Sequence, residues 1–274
     1  MCLLLFAYRC HPRYPLLLLA NRDEFYDRPA APAAPWQGEG VVAGRDLQAG
    51  GTWAGIARGR VAAVTNIREP RRAEPEAVLS RGDIPRDFLH SHATPSEFAA
   101  GLANRTYRGF NALLFQFGAE AELVCAGNRH KPFNFSRGVH GISNGTPDAP
   151  WPKVEKGRAE LRELLDGISG EITDNNFVRP ALTLLQDRSR AHPETLPNTG
   201  VGPELEMALS PIFVQIKERD GNPVADGAGD YGTRASTLVA VDDSGATQLW
   251  EQNYDNGEPC GPVRHFRLSS QDCH

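Results

Sequence analysis

No stretch of about eighteen apolar residues occurs in the 274-residue chain, so no segment reads as a membrane-spanning helix and no integral membrane segment is expected. The apolar start, Met1 to Phe6, lacks the basic flank of a secretory signal and is broken by Arg9-Cys10-His11-Pro12-Arg13. A cytoplasmic location is the expectation. Positive charge is not in excess either: 29 Lys and Arg against 34 Asp and Glu give a formal net charge of -5. A field of that sign repels nucleic acid and anionic lipid, so no nucleic-acid partner is expected. The two basic clusters, Arg68 to Arg72 and Arg188 to Arg190, are interrupted by acidic or neutral residues and read as solvated loop faces.

Cysteine is sparse. The five, Cys2, Cys10, Cys125, Cys260 and Cys273, are an odd set, widely spaced and without a CxxC pair. That pattern speaks against a disulfide framework or a zinc site and for a reducing compartment. The eight histidines form no HExxH or comparable ligand spacing, and the glycine-rich segments Gly38-Glu39-Gly40 and Gly227 to Gly232 lack both GxGxxG and a phosphate-loop lysine, so they read as turns. Cys10-His11-Pro12 reads as a turn between two strands rather than a haem contact. Neither a metal nor a cofactor is expected.

What is present is an ordinary globular composition, 40% hydrophobic and 23% charged, with enough apolar material for a sizeable core. The length suits one domain over residues 1–274, with a less ordered tail from about residue 256. Two short apolar runs, Cys2 to Tyr8 and Pro15 to Ala20, read as a hairpin buried on both faces. Pro29, Pro32 and Pro35 each remove a ladder donor, and residues 29–35 read as an irregular surface loop. A second hairpin is expected across Gly50 to Ala57 and Val61 to Asn66. Helices are expected at Ile84 to His90, at Pro95 to Asn104 with Thr94 as N-cap and Glu97 as its capping-box partner, and at Trp151 to Leu165 and Asn175 to Leu185. Further strands are expected at Gly109 to Phe117, Glu122 to Ala126, Val139 to Ser143, Ser210 to Ile216, Thr233 to Val241 and Ala246 to Tyr254. Strands, then helices, then strands, joined by hairpins, point to an α+β protein: two stacked antiparallel sheets with a helical layer on each side.

Cys2 carries the chemical interest. Trimming of the initiator methionine would leave a thiol and a free α-amine on one residue, a nucleophile with its own base, since the amine's ordinary pKa is about 8. Its blander reading is an apolar residue that opens a strand. At the end of the second strand Asn21-Arg22-Asp23-Glu24 sets four polar groups in a row, where Asp23 could hold the α-amine and Arg22 could balance charge near the thiolate. The alternative is a turn with a surface salt bridge.

Taken in order, Cys2, Ala20-Asn21-Arg22-Asp23-Glu24-Phe25 with Arg28-Pro29, Gly50-Gly51-Thr52-Trp53, Thr65-Asn66, Ser80-Arg81-Gly82, Ser143-Asn144-Gly145 and Tyr231-Gly232-Thr233-Arg234-Ala235-Ser236-Thr237 resemble the NRDE, or transport and Golgi organisation 2, family. The resemblance spans residue 2 to about 250. That family in turn is similar to the N-terminal-nucleophile cysteine hydrolases, which implies a four-layer αββα sandwich. By the same resemblance Cys2 matches the nucleophile, Asp23 the carboxylate holding the amine and Asn144 an oxyanion-hole donor. A backbone N–H after Asn66, or the Asn66 amide itself, would be the second donor. Arg234 matches an arginine near the nucleophile. In the hydrolases an arginine precedes the aspartate by three residues, a position held here by Ala20, while Arg22 adjoins Asp23. Asn21, Arg22, Trp53 and Ile67 are candidate binding residues.

Two functions follow from the resemblance. One is a hydrolase of a linear amide or thioester. The other is a non-catalytic carrier of a hydrophobic acyl, acyl-CoA or haem-like ligand, since family members have been linked to secretory organisation, lipid metabolism and haem trafficking. Phe25, Trp53, Ile67, Phe133 and Trp151 lie near these motifs in sequence and suggest a small-molecule ligand or substrate with an apolar chain, although such residues are more often core. No pattern in the sequence specifies an oligomeric state.

Overall fold

The computed structural model describes residues 2–70, 78–119, 121–218 and 229–269. Its first strand, β1 (Cys2–Tyr8), pairs antiparallel with β2 (Leu16–Phe25) in the expected hairpin. Successive side chains of a strand point to opposite faces, and here both faces are buried. Leu4, Phe6, Tyr8, Leu16 and Leu18 enter one apolar cluster, while Leu3, Leu5, Ala7, Leu17 and Leu19 enter another. That is why neither strand shows the polar alternation of a half-exposed sheet.

The remaining strands of the first half are β3 (Ala30–Pro35), β4 (Val42–Asp46), β5 (Ala54–Ala57), β6 (Arg60–Asn66), β7 (Phe110–Gln116), β8 (Glu122–Gly127) and β9 (Phe133–Asn134), and they form one sheet in chain order. The other sheet runs β10 (Gly138–Ile142), β1, β2, β12 (Tyr231–Val241), β13 (Thr247–Asp255) and β14 (Glu258–Leu268), with β11 (Gln215–Ile216) on β12. Within each sheet the ladders are antiparallel.

The sheets pack face to face across the first cluster, which joins Leu4, Phe6 and Val239 to Val61, Leu113 and Phe115. Helices cover both outer faces. α1 (Asp83–His90) and α2 (Pro95–Gly101) set Ile84, Phe88 and Ala99 against Ala62, Ala112 and Leu114. On the other side α3 (Pro152–Asp166) and α4 (Arg179–Leu185) set Val154, Leu161, Ala181 and Leu185 against Leu3, Leu5 and Leu238. A short α5 (Pro203–Ala208) caps a fourth cluster at the open end of β12. The architecture is the expected α+β four-layer αββα sandwich. Helix α3 approaches β1 so closely that a Cβ on Gly157 would lie 2.4 Å from Leu5 Cδ1.

The Thr94 capping box is present, with its hydroxyl accepting from the Glu97 N–H at 3.2 Å. Other expectations change. Residues 29–35 are not an irregular loop: β3 is an edge strand, whose prolines need satisfy a ladder on one side only. A register shift between Ala31 and Ala34 accommodates Pro32. Residues 258–268 are not a loose tail, because β14 extends the sheet by pairing with β13 even though most of its side chains are exposed. Ser210 to Ile216 yields only the two-residue β11, the rest being loop. Asn175 to Leu185 begins with a π-helical turn, Asp174–Val178, before α4.

The basic-cluster reading changes at Arg68, which is buried in an ion pair with Glu206, while residues 188–190 form an exposed loop as expected. Arg71 and Arg72 lie outside the described residues, as do Gly227 and Ala228 of the glycine-rich segment; Gly232 belongs to β12.

Candidate functional site

Register decides what surrounds Cys2. In the β1–β2 ladder Cys2 stands opposite Arg22, and both positions share the face of Leu4 and Ala20, toward the gap between the sheets. Cys2 is half-buried at the end of that gap. Arg22 is buried, with its guanidinium 4.5 Å from the Trp53 ring centroid and 3.0 Å from Asp46 Oδ2. Asp46 also accepts from Arg28 Nε at 2.7 Å and from the backbone N–H groups of Gln48 and Ala49. Burial alone would raise the Asp46 carboxyl, but the Arg28 hydrogen bond, the Ala49 N–H and the charges of Arg28 and Arg22 together hold it below the usual carboxylate range. The charge of Arg22 is therefore matched within the protein.

Asp23 points the opposite way, toward the α3 layer, as a neighbour of Arg22 on a strand must. It is 1% exposed, and its Oδ1 accepts from Thr233 Oγ1 at 2.7 Å. Burial raises its pKa against the charges of Lys153 and Arg68 and the Thr233 hydrogen bond. Lys153, on the first turn of α3, is 4% exposed and donates to Leu209 O at 3.1 Å. Burial and the Arg68 charge press its pKa down to about 8, while the charges of Asp23, Cys2 and Glu206 oppose the shift. Arg68 pairs with Glu206 at 2.6 Å, with both side chains buried, and Glu206 also accepts from the Thr199 N–H and hydroxyl. Arg68, Trp151, Lys153 and Glu206 line a small cavity of about 10 Å³. Burial also raises the Cys2 thiol, as does the Asp23 charge, whereas Arg22 and a hydrogen bond from the Asp23 backbone N–H pull it down.

The asparagines meet on the third side. Ser143 Oγ lies 3.4 Å from the Cys2 carbonyl oxygen, to which it donates. The next residue, Asn144, is 1% exposed and donates from Nδ2 to Asn66 Oδ1 at 2.9 Å and to Asn66 O at 3.1 Å. The backbone N–H groups that follow Asn66 are already used: Ile67 donates to Gly109 O at 2.9 Å and Arg68 to Asn144 O at 2.8 Å. Among the described residues the Asn66 side-chain nitrogen donates to none, so the amide itself is the open donor at this strand end.

The structure thus brings together Cys2, Arg22, Trp53, Asn66 and Asn144, with half-buried Ile67 beside Asn66 and with Asp23 on the reverse of the same strand end. Two candidates have other duties. Asn21 donates to Leu185 O and Ile212 O, each at 2.9 Å, and accepts from Ser236 Oγ, which pins α4 and its following loop to β2. Arg234 sits where the β2–β12 register shifts and donates to Phe25 O at 2.7 Å and Arg28 O at 2.8 Å. Phe133 lies on β9 at the sheet edge with its ring against Phe135 and His130.

Sequence reasoning missed Lys153 and Glu206 as members of the cluster and took Arg81 only as part of a motif. For Lys153 the signal was its place directly after Trp151-Pro152, since proline at the first helical position marks where a side chain meets the sheet end. Among the described residues no group of three or more His, Cys, Asp or Glu could hold a metal ion, and no helix is long and apolar enough to cross a membrane.

A cysteine at the second position, opening a central strand of an αββα sandwich at the end of the inter-sheet gap, puts this chain in the class of sandwich proteins whose N-terminal strand faces the candidate site. Residues 1–256 match the family model described as Transport and Golgi organisation 2, and the chain belongs to that family. It is 30% identical to the Transport and Golgi organization protein 2 homolog of Bos taurus, over 98% of this chain and 100% of that one. It is 27% identical to Transport and Golgi organization protein 2 of Drosophila melanogaster, over 95% of each. Among solved structures it is similar to the C2A mutant of conjugated bile acid hydrolase from Clostridium perfringens, with a TM-score of 0.46, 10% identity and 98% coverage of both chains.

Proposed function

We propose that the protein hydrolyses a linear amide or thioester with Cys2 as its nucleophile. The observation that supports this best is the register pair Cys2 and Arg22 at the end of the inter-sheet gap, next to the amide pair of Asn66 and Asn144. In this reading removal of Met1, which lies outside the described residues, frees the α-amine to take the thiol proton. The sulfur then attacks the substrate carbonyl carbon, an S–C bond forms and the carbonyl π electrons move to oxygen. The Asn66 amide, joined by Asn144 when it turns from Asn66, holds that oxyanion. Collapse breaks the C–N or C–S bond to the leaving group, which takes the proton back from the α-ammonium, and water releases the acyl group from sulfur.

A second reading, a carrier of a hydrophobic acyl, acyl-CoA or haem-like ligand, draws support from two features: burial raises the Cys2 thiol, and both Asn144 donor bonds are spent inside the protein. Intact-mass analysis after brief iodoacetamide treatment, with the labelled residue located by fragmentation, tests the hydrolase reading. Loss of Met1 and first labelling at Cys2 are expected, together with loss of turnover in Cys2→Ala at unchanged near-UV circular dichroism. A Cys2→Ala variant that turns over substrate at the parental rate would falsify it.

A further inference from the structure

Among the described residues Lys153 donates to Leu209 O and Arg234 to two backbone carbonyls, while three arginines of this region are matched by carboxylates. Arg22 and Arg28 share Asp46, Arg28 also lies 3.9 Å from Glu24, and Arg68 holds Glu206. Arg81 has no carboxylate within 4.0 Å among the described residues, and its one hydrogen bond there is a long one, 3.3 Å from Nη1 to Gly109 O. It is nevertheless held in place. The segment Ser80-Arg81-Gly82 is clamped to Gly51-Thr52 by the bond from Thr52 N–H to Gly82 O at 3.0 Å, and a Cβ on Gly51 would fall 2.4 Å from the Gly82 backbone. A part-buried guanidinium without a counter-charge is costly, so a fold that fixes one in this way favours an anion that completes it.

The position of that charge is informative. Gly109 O accepts from both Ile67 N and Arg81 Nη1, which sets the guanidinium within about 6 Å of the β6 end that carries Asn66. Cys2 is among the groups whose charge acts on Arg81, along with Glu24, Arg28 and Arg108. We infer that Arg81 is a specificity-determining residue that receives a carboxylate of the substrate, set within a few bonds of the scissile carbonyl, as in an N-acyl amino acid. One unmatched guanidinium balances one negative charge, which favours a carboxylate over a phosphate dianion, and its planar fork suits two-point recognition. The inference rests on the hydrolase reading and narrows its substrate class.

Two small alkylating agents of the same reactive carbon test it. Iodoacetate and iodoacetamide both lose iodide to the Cys2 sulfur as the S–C bond forms, but only iodoacetate carries a carboxylate. The ratio of iodoacetate to iodoacetamide rates is expected to be about tenfold higher at Cys2 than at exposed Cys260, and to fall to the Cys260 value in Arg81→Gln while the iodoacetamide rate is kept. If Arg81 acts only on the thiol's acidity, both rates drop together and the ratio stays, which overturns the inference.

Calorimetric titration of the parent protein with hexanoate and with hexanamide needs neither a reactive thiol nor a folded variant. Hexanoate is expected to bind about tenfold more tightly; equal binding, or none, overturns the inference. If Cys2 takes neither reagent the hydrolase reading fails, and preferential hexanoate binding would then mark the same group as a carboxylate site of a carrier.

Discussion

Lys153 supplies a prediction whose sign and size both come from the structure. Its ammonium is buried at 4% exposure with one hydrogen bond, to Leu209 O, and its pKa falls from the ordinary 10.5 to about 8, chiefly through loss of water. Below pH 8 the lysine is protonated in both folded and unfolded chains, and the folded state carries the full cost of the buried charge. Between pH 8 and 10.5 the unfolded chain binds more protons than the folded one, so the lysine's contribution to stability rises with pH across that window; above it both forms are neutral. At about 1.4 kcal/mol for each tenfold of proton affinity, the whole interval is worth about 3 kcal/mol.

Lys153→Met removes the titration and keeps the volume. Urea unfolding of parent and variant at pH 7, 8, 9 and 10 is the assay. The stability difference between variant and parent should be constant up to pH 8 and then move by about 2 kcal/mol in favour of the parent by pH 10. A difference that stays flat over this range refutes the claim that Lys153 is held as a buried, desolvated cation.

Glu206→Gln leaves the Arg68 guanidinium buried beside a neutral amide, and a loss of about 3 kcal/mol in urea unfolding is expected, because breaking one side of a buried pair strands the other charge; a loss below about 0.5 kcal/mol, the scale of an exposed pair, contradicts the buried-pair account. Gly51→Ala forces its Cβ against the Gly82 backbone, so the variant should lose about 1–3 kcal/mol as an overpacked site. It should also lose the iodoacetate preference at Cys2, read by the same rate ratio; a destabilised variant that keeps the ratio would show that the clamp does not position Arg81.

Much of the sandwich was legible because its signals are local. The apolar run of β1 and β2 and the Thr94 to Glu97 capping box are each fixed by a few adjacent residues. Edge elements were harder. In β3 the prolines signal a loop unless one knows that a single neighbour, β4, takes the strand's other bonds, and β14 buries too little to show alternation. The candidate site divides in the same way. Cys2, Arg22, Asp23, Asn66, Trp53 and Asn144 were named from ordered motifs, but the roles available to them depend on pairings that no local pattern encodes. Arg68 looked like part of a solvated basic run, yet Glu206, 138 residues away, takes it into the interior. Among the described residues Arg81 has no carboxylate partner, which stands out only once the partners of Arg22, Arg28 and Arg68 are known.

The displaced arginine illustrates how register converts a sequence difference into a small spatial one. The resemblance to N-terminal-nucleophile hydrolases implies an arginine three residues before the aspartate, at position 20, whereas this chain has Ala20 and puts Arg22 next to Asp23. A strand repeats every two residues, so positions 20 and 22 share a face, about 7 Å apart along the strand. The β1–β2 ladder sets Ala20 opposite Leu4 and Arg22 opposite Cys2 itself. Moving the arginine by two residues therefore keeps it on the thiol's face and brings it level with the thiol, while Asp23, of the opposite parity, stays on the side of Thr233 and Lys153. Had the shift been by one or three residues, the guanidinium would have entered the α3 layer with Asn21 and Asp23, and the inter-sheet side of Cys2 would have no cation at that register position. Arg22, however, arrives already bound to Asp46 and stacked on Trp53, so it lends Cys2 a fixed and partly neutralised charge. That leaves recognition of an incoming anion to a residue outside the strand, and Arg81 is the one the fold holds ready.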